Sequence, residues 1–295
     1  MSNQVEQHNE VQEMPEATEV AGTHETQTKS EHGHTLYAEE VANVGGFPIT
    51  NSMINTWMVV AVVLIFGLFI RKRIKEVPTG LQNVMEMVVE GFLGIFDSVT
   101  SSREKSLQFF PFVFSFFILI LLNNWMGLLP GIGSIGKMVT ENGHEVFAPF
   151  FRGGTADLNT TLALAIIGVV ASHIFGVVAL GWWRYLNKFV NIKAILDIPK
   201  KVMKDPTVLI VNPIHVFVGL IEIVGEIAKV ASLSFRLFGN VFAGEVLLAS
   251  MAAILAFGLP IPFMFMEVIV GVIQALIFAM LILAYLTMST TSEDH

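Results

Sequence analysis

Apolar residues along this chain gather in long blocks broken by short basic or Pro/Gly segments. The first block, Ser52–Ile70, is uniformly apolar and is stopped by Arg71-Lys72-Arg73 and Lys75. It is long enough to cross a hydrocarbon core about 30 Å thick as a helix. Leu81, Val84, Met85, Val88, Val89, Phe92, Leu93 and Phe96 then recur at three/four spacing. Gln82, Asn83, Glu86, Glu90 and Asp97 fill the opposite face. That periodicity predicts an amphipathic helix lying in the membrane interface rather than crossing it. A second span covers 108–129 and stops at Pro130-Gly131, and a Gly-rich loop to Leu158 follows. The third span is Asn159–Trp183. From Pro213 to Phe257 no further proline interrupts a helix-compatible run, which at 1.5 Å per residue is about 66 Å, twice the hydrocarbon thickness. Such an element either breaks, at Gly225 or Gly239, or tilts strongly. Gly258-Leu-Pro260-Ile-Pro262 reads as a turn, and Phe263–Met288 as the returning helix. The fold class is therefore an all-α membrane protein with about five membrane-embedded helices, an amphipathic interfacial helix and a long helix-hairpin that is either broken or tilted.

Charge orients these spans. The basic cluster after the first span, and Arg184, Lys188, Lys193, Lys200, Lys201 and Lys204 after the third, mark the cytoplasmic side. The loop between spans two and three holds only Lys137 and Arg152 as bases. The N-terminus is thus expected outside and the C-terminus, His295, in the cytoplasm. The formal net charge of −8 is a property of the tail: residues 1–45 hold nine acidic residues and Lys29, and the rest of the chain balances. Rich in Gln, Glu, Thr and His and poor in large apolar residues, residues 1–47 read as a disordered acidic extracytoplasmic segment, with 48–295 as the membrane domain. It lacks the basic start and apolar core of a signal peptide. His24, His32 and His34 show no fixed ligand spacing, so no metal is expected. The chain has no Cys, which excludes a disulfide framework, a thiolate metal site and a cysteine nucleophile.

The chemistry lies in charges set among apolar residues. Arg236 stands in Ala231-Ser-Leu-Ser-Phe-Arg236-Leu-Phe-Gly-Asn240-Val-Phe-Ala-Gly-Glu245, with nothing nearby to let it snorkel out. An Arg at mid-membrane costs about 2.5–3.5 kcal/mol on insertion scales, and it cannot lose its charge. At 100° per residue, Asn240, Lys229, Glu222 and Glu226 fall on the Arg236 side of the helix, and Glu245 falls opposite. Glu267 and Gln274, seven apart on the last helix, share a face that an antiparallel return brings toward Glu245. Two carboxyls and an amide lining a wet crevice would make a proton path from outside to mid-membrane. The bland reading of Arg236 is a buried ion pair within the chain, and of Glu222, Glu226 and Lys229 a solvated helical set. His173 and His215 stand alone on apolar stretches, and a hydrogen-bonded packing role is expected of them rather than a proton role.

The segment Ser-Leu-Ser-Phe-Arg236-Leu-Phe-Gly-Asn240-Val-Phe-Ala-Gly-Glu245 resembles the signature of subunit a of F-type ATP synthases. Asn123-Asn-Trp-Met-Gly-Leu-Leu-Pro130, Ala156-Asp157-Leu-Asn159-Thr-Thr-Leu, Gln274-Ala-Leu-Ile-Phe and Tyr285-Leu resemble further family segments, so the likeness spans about 48–290. The resemblance implies that Arg236 faces a rotor carboxylate. It implies that Asn240, Glu245 and Gln274 border the path from outside, and that Glu222 borders the inner path. The position of Glu267 is often His in bacterial members; a close pair of carboxyls titrates jointly. Implied partners are a rotor ring of small hydrophobic c-type subunits, peripheral-stalk b-type subunits and the lipid bilayer, with no nucleic acid. The implied location is the bacterial inner membrane. No phosphate loop or catalytic triad is present, so a non-catalytic subunit without cofactors is expected. The rival classes are a self-contained ion channel or secondary transporter, which would carry repeats or broken midplane helices, and an intramembrane protease, which Asp157 and His173 do not equip.

Overall fold

A computed structural model of the chain describes residues 38–72, 74–129, 131, 135–141, 144–190, 208–255 and 258–291. Among these, five helices are long and apolar enough to cross a membrane: Asn51–Arg71, Arg103–Leu128, Leu158–Leu180, Phe217–Ile254 and Pro260–Thr290. The chain is a multi-pass all-α membrane protein, and its core is built where these helices touch one another rather than lipid.

Strands β1 (Glu40–Val44) and β2 (Phe47–Thr50) form an antiparallel hairpin closed by Gly45 and Gly46, both at positive φ. Helix α1 (Asn51–Arg71) starts at once, capped by the Thr50 hydroxyl on the Met53 amide. Helix α2 (Leu81–Thr100) is the amphipathic element. The C-terminal part of its apolar face docks, with Phe96 buried and the Phe92 ring 5.1 Å from Phe114 edge-on. The N-terminal part, with Leu81, Val84 and Val88, is exposed, as an interfacial helix requires. A tight corner at Ser101 (φ 53) and an ion pair between Arg103 and Asp97 at 2.9 Å turn the chain into α3 (Arg103–Leu128).

The segment after α3 differs from a plain loop. Residues Gly136–Glu141 and His144–Pro149 pair as a second hairpin, β3–β4. The Gly-rich composition hides two strands too short to show a clear alternation. The Lys137 ammonium donates to the Val41 carbonyl, tying the two hairpins together at one end of the bundle, the hairpin end. A single 3-10 turn, Gly154–Ala156, leads into α4 (Leu158–Leu180), capped by Asp157 on the Asn159 amide. Helix α4 stops earlier than Trp183. Gly181 at φ 84 breaks it, and α5 (Trp182–Val190) turns away from its axis. A residue with a Cβ adopts that φ only with strain. The basic loop that follows lies largely outside the described residues, as do the tail to residue 37 and its histidines.

The long element is one continuous helix, α6 (Val208–Ile254), of 47 residues. At 1.5 Å per residue it is about 70 Å long, so neither Gly225 nor Gly239 breaks it and strong tilt is the way it fits a bilayer. Helix α7 (Pro260–Thr290) returns beside it. The core lies between α3, α4, α6 and α7: Phe109, Phe116, Ile120, Leu233, Leu237, Phe278 and Ile282 are buried there. Glycines admit the closest contacts. A Cβ on Gly168 of α4 would lie 2.3 Å from Ile282 Cδ1 of α7.

Candidate functional site: a charged helix face and two polar clusters

Helix α6 divides its residues cleanly. Leu233, Ser234, Leu237 and Phe238 are buried against the bundle. Ser232, Phe235, Arg236, Gly239 and Ala243 are exposed on the outer face. Arg236 donates from Nη2 to the Ser232 hydroxyl at 3.3 Å, one turn earlier on its own helix. Among the described residues it makes no ion pair with a carboxylate. The internal ion pair allowed by the sequence is therefore not formed among the described residues. The fixed charge lies on an open face, with a side chain no larger than Ala or Ser at 228, 232, 239 and 243 around it. Its electrostatic reach includes the Tyr285 phenol of α7.

On the opposite side of α6, at the hairpin end, Glu245 accepts two hydrogen bonds on Oε2, from Arg152 Nε at 3.2 Å and Nη2 at 3.1 Å. Arg152 side-chain exposure is only 9%. Its backbone enters the bundle because Gly153 packs against Gly127 of α3; a Cβ on Gly127 would lie 3.1 Å from Gly153 Cα. Glu267 of α7 is buried, and its carboxyl carbon stands 2.4 Å from where a Cβ of Gly244 would be. Glycine at 244 is thus what lets the Glu267 carboxyl lie on α6 next to Glu245. Asn240 and Gln274 are half-buried, and neither makes a side-chain hydrogen bond among the described residues.

A polar network underlies this end. Asp157 accepts from Ser52 at 3.0 Å and Thr160 at 3.2 Å. Asn123 accepts from Asn55 at 3.2 Å and Thr56 at 3.3 Å. Asn124 donates to the Gly271 carbonyl at 3.3 Å, and Thr161 meets Ser234 of α6 at 3.3 Å. These bonds link α1, α3, α4, α6 and α7, which explains why the two polar runs around Asn123 and Asp157 interrupt otherwise apolar helices.

Toward the other end, Glu226 of α6 takes the Lys229 ammonium on Oε1 at 2.6 Å and lies 3.4 Å from His173 Nε2 of α4. His173 Nδ1 is 2.5 Å from the Tyr185 hydroxyl of α5. His173, expected from its isolation in sequence to fill a hydrogen-bonded packing role, bonds Tyr185 through Nδ1 and places Nε2 at ion-pair distance from Glu226. Burial pushes the Tyr185 phenol up, the nearby Glu226 and Glu222 charges act in the same sense, and a hydrogen bond with Ser289 opposes them. Glu222 is half-buried and within electrostatic reach of Tyr185. The His215 side chain lies outside the described residues. Arg152 and Tyr185 were not singled out by sequence. Arg152 gave one signal, as one of two bases in a loop otherwise lacking them.

A multi-pass bundle that carries a fixed cation on an open face and carboxylates on the opposite face belongs to the class of ion-translocating membrane subunits. The family model described as ATP synthase A chain matches residues 53–287. The chain is 34% identical to ATP synthase subunit a of Syntrophobacter fumaroxidans over 253 residues, 85% of this chain and 89% of the relative. To ATP synthase subunit a of Trichlorobacter lovleyi it is 31% identical, over 83% of this chain and 89% of the relative. To the chloroplastic ATP synthase subunit a of Stigeoclonium helveticum it is 32% identical, over 85% and 89%. The chain belongs to the ATP synthase A chain family, and with it to the membrane sector of the ATP synthase as the proton-translocating stator subunit.

Proposed function

We propose that this subunit forms two laterally offset proton half-channels that load and unload a rotor-ring carboxylate, and that it performs no covalent chemistry itself. The observation that carries the reading is Arg236. It is permanently charged, exposed on a membrane helix and without a carboxylate partner among the described residues. A charge held in lipid needs a counter-charge, and the open face of small residues leaves room for a partner helix to bring one. A c-type ring with one carboxylate per subunit supplies it. That carboxylate is neutral where it faces lipid and ionises opposite Arg236. The Arg also bars a proton from passing directly between the two paths.

The outer path runs past the Arg152–Glu245 pair and Glu267, with Asn240 and Gln274 leading toward Arg236. The inner path includes Glu222. In this reading the hairpin end and the tail face outside, the basic segments and His295 face the cytoplasm, and the membrane is the bacterial inner membrane. Peripheral-stalk b-type subunits hold the bundle against the torque of the ring. The alternative of a self-contained channel requires both half-paths to meet within one chain, whereas Arg236 looks outward from the bundle. Arg236→Ala tests the reading: the complex should assemble but fail to couple proton flow to ATP synthesis. Arg236→Lys should fail as well, since an ammonium does not reproduce the planar fork. Normal proton-driven synthesis by either variant refutes it.

A further inference from the structure

Glu226, His173 and Tyr185 form a chain of titratable groups in contact that the proposed outer path does not use. Three helices build it. Glu226 comes from α6, His173 from α4 and Tyr185 from α5. The spacing runs 3.4 Å from Glu226 Oε2 to His173 Nε2 and 2.5 Å from His173 Nδ1 to Tyr185 Oη. The geometry is prepared by glycine at two places. Gly181 at φ 84 turns α5 back toward α4. Gly176 then admits the phenol ring, since a Cβ there would lie 2.4 Å from Tyr185 Cε2. Tyr185 is only 5% exposed, whereas the side chains of His173 and Glu226 are 28% and 18% exposed. Ionisable groups at this depth are costly to place and mark pathways more often than they add stability.

We infer that this triad is a proton relay on the inner side of the subunit, carrying protons between the level of Arg236 and the basic end of the bundle. The inference rests on the stator reading above. A proton arriving on the Glu226 carboxyl passes to His173 Nε2. The Nδ1 proton passes to the Tyr185 oxygen, and the phenol gives up its own proton toward Ser289 and the aqueous end. Glu226 returns to carboxylate, the imidazole is neutral as its other tautomer, and one proton has crossed. The imidazole regains its first tautomer by releasing the Nε2 proton to, and taking an Nδ1 proton from, water on the same side, which moves no net charge. Imidazole suits this because each nitrogen can hold or release a proton while the other bonds a neighbour. The Lys229 ammonium on Oε1 leaves Oε2 to His173. Among the described residues, other titratable groups near the triad include Glu222 on α6 and Tyr285 on α7. Lys229 Nζ lies 5.0 Å from the Tyr285 ring centroid, and Tyr285 is within electrostatic reach of both Glu226 and Arg236.

The test uses the complete ATP synthase in inverted membrane vesicles treated with an uncoupler, so that gradient collapse does not affect the readout. Rotation-coupled ATP hydrolysis, normalised to assembled complex, is measured for the native protein, His173→Ala, Tyr185→Phe and Arg236→Ala. His173→Ala should lower it about tenfold or more, the scale of a lost proton-transfer group. Imidazole added to the exposed cytoplasmic face should restore part of it in His173→Ala and leave Arg236→Ala unaffected. Tyr185→Phe, which keeps the ring on Gly176, should lower it severalfold with normal assembly. Tyr185→Phe also decides the matter if His173→Ala does not assemble. Native rates in Tyr185→Phe overturn the relay, as does a His173→Ala loss that imidazole leaves unchanged; a dead Arg236→Ala beside either result leaves the stator reading standing. A native hydrolysis rate in Arg236→Ala would instead remove the stator reading itself.

Discussion

Replacing Arg152 by Gln should destabilise the hairpin end more than loss of the whole ion pair does. Both side chains of the pair are largely buried, at 9% and 21% exposure, and two guanidinium nitrogens converge on one oxygen of Glu245. Removing one member of a buried pair leaves an uncompensated charge and typically costs roughly 3–5 kcal/mol, whereas removing both is often close to neutral. The set Arg152→Gln, Glu245→Gln and the double variant forms a thermodynamic cycle. Graded SDS unfolding of the chain in lipid–detergent micelles supplies the free energies. The double variant should recover most of the loss seen in Arg152→Gln, with a coupling energy of about 2 kcal/mol, within the range found for contacting residues. A coupling below about 0.5 kcal/mol, the additivity expected of independent sites, would show that the pair does not hold the loop to α6.

Other outcomes follow from the same geometry. Gly244→Ala should displace the Glu267 carboxyl, which would face a Cβ at 2.4 Å; overpacking of this kind costs about 1–3 kcal/mol. The accompanying shortening Glu267→Asp should recover part of the lost proton flux, and a native rate in Gly244→Ala alone would contradict the contact. Cysteines at 245 and 267 should cross-link across α6 and α7, and failure to do so under any oxidant would separate the two carboxyls. Protease added to intact cells with a permeabilised outer envelope should trim residues 1–37, and cleavage only in inverted vesicles would reverse the proposed orientation.

Periodicity made the helices and their faces legible. Each span is long, and lipid removes the competing ways to satisfy backbone hydrogen bonds, so apolar length alone identifies it. The two hairpins were not legible, because strands of four to six residues beside glycines carry little alternation. The Arg152–Glu245 pair joins positions 93 residues apart through a loop, and no local pattern encodes where such a loop re-enters. His173 illustrates the same limit. In sequence it is a lone polar residue among apolar ones. Its partners arrive from α5 and α6, and α5 is placed by the backbone turn at Gly181.

Nine residues separate Arg236 from Glu245, and at 100° per residue nine steps bring a helix to its far side. In the folded chain the outer face of α6 accordingly carries the exposed guanidinium, while its other side carries Glu245 in the grip of Arg152. A rigid helix therefore holds the fixed cation and the outer carboxylates apart, and small motions of either cannot bring them into contact. In the proposed reading, a proton on Glu245 or Glu267 is kept from the open face by the body of α6. That reading has it leave on a carrier that approaches the open face from another subunit. The proposed separation of the two half-paths then follows from helical phase together with the length of α6, and inserting one residue between Gly239 and Glu245 should rotate Glu245 by about 100° and dismantle it.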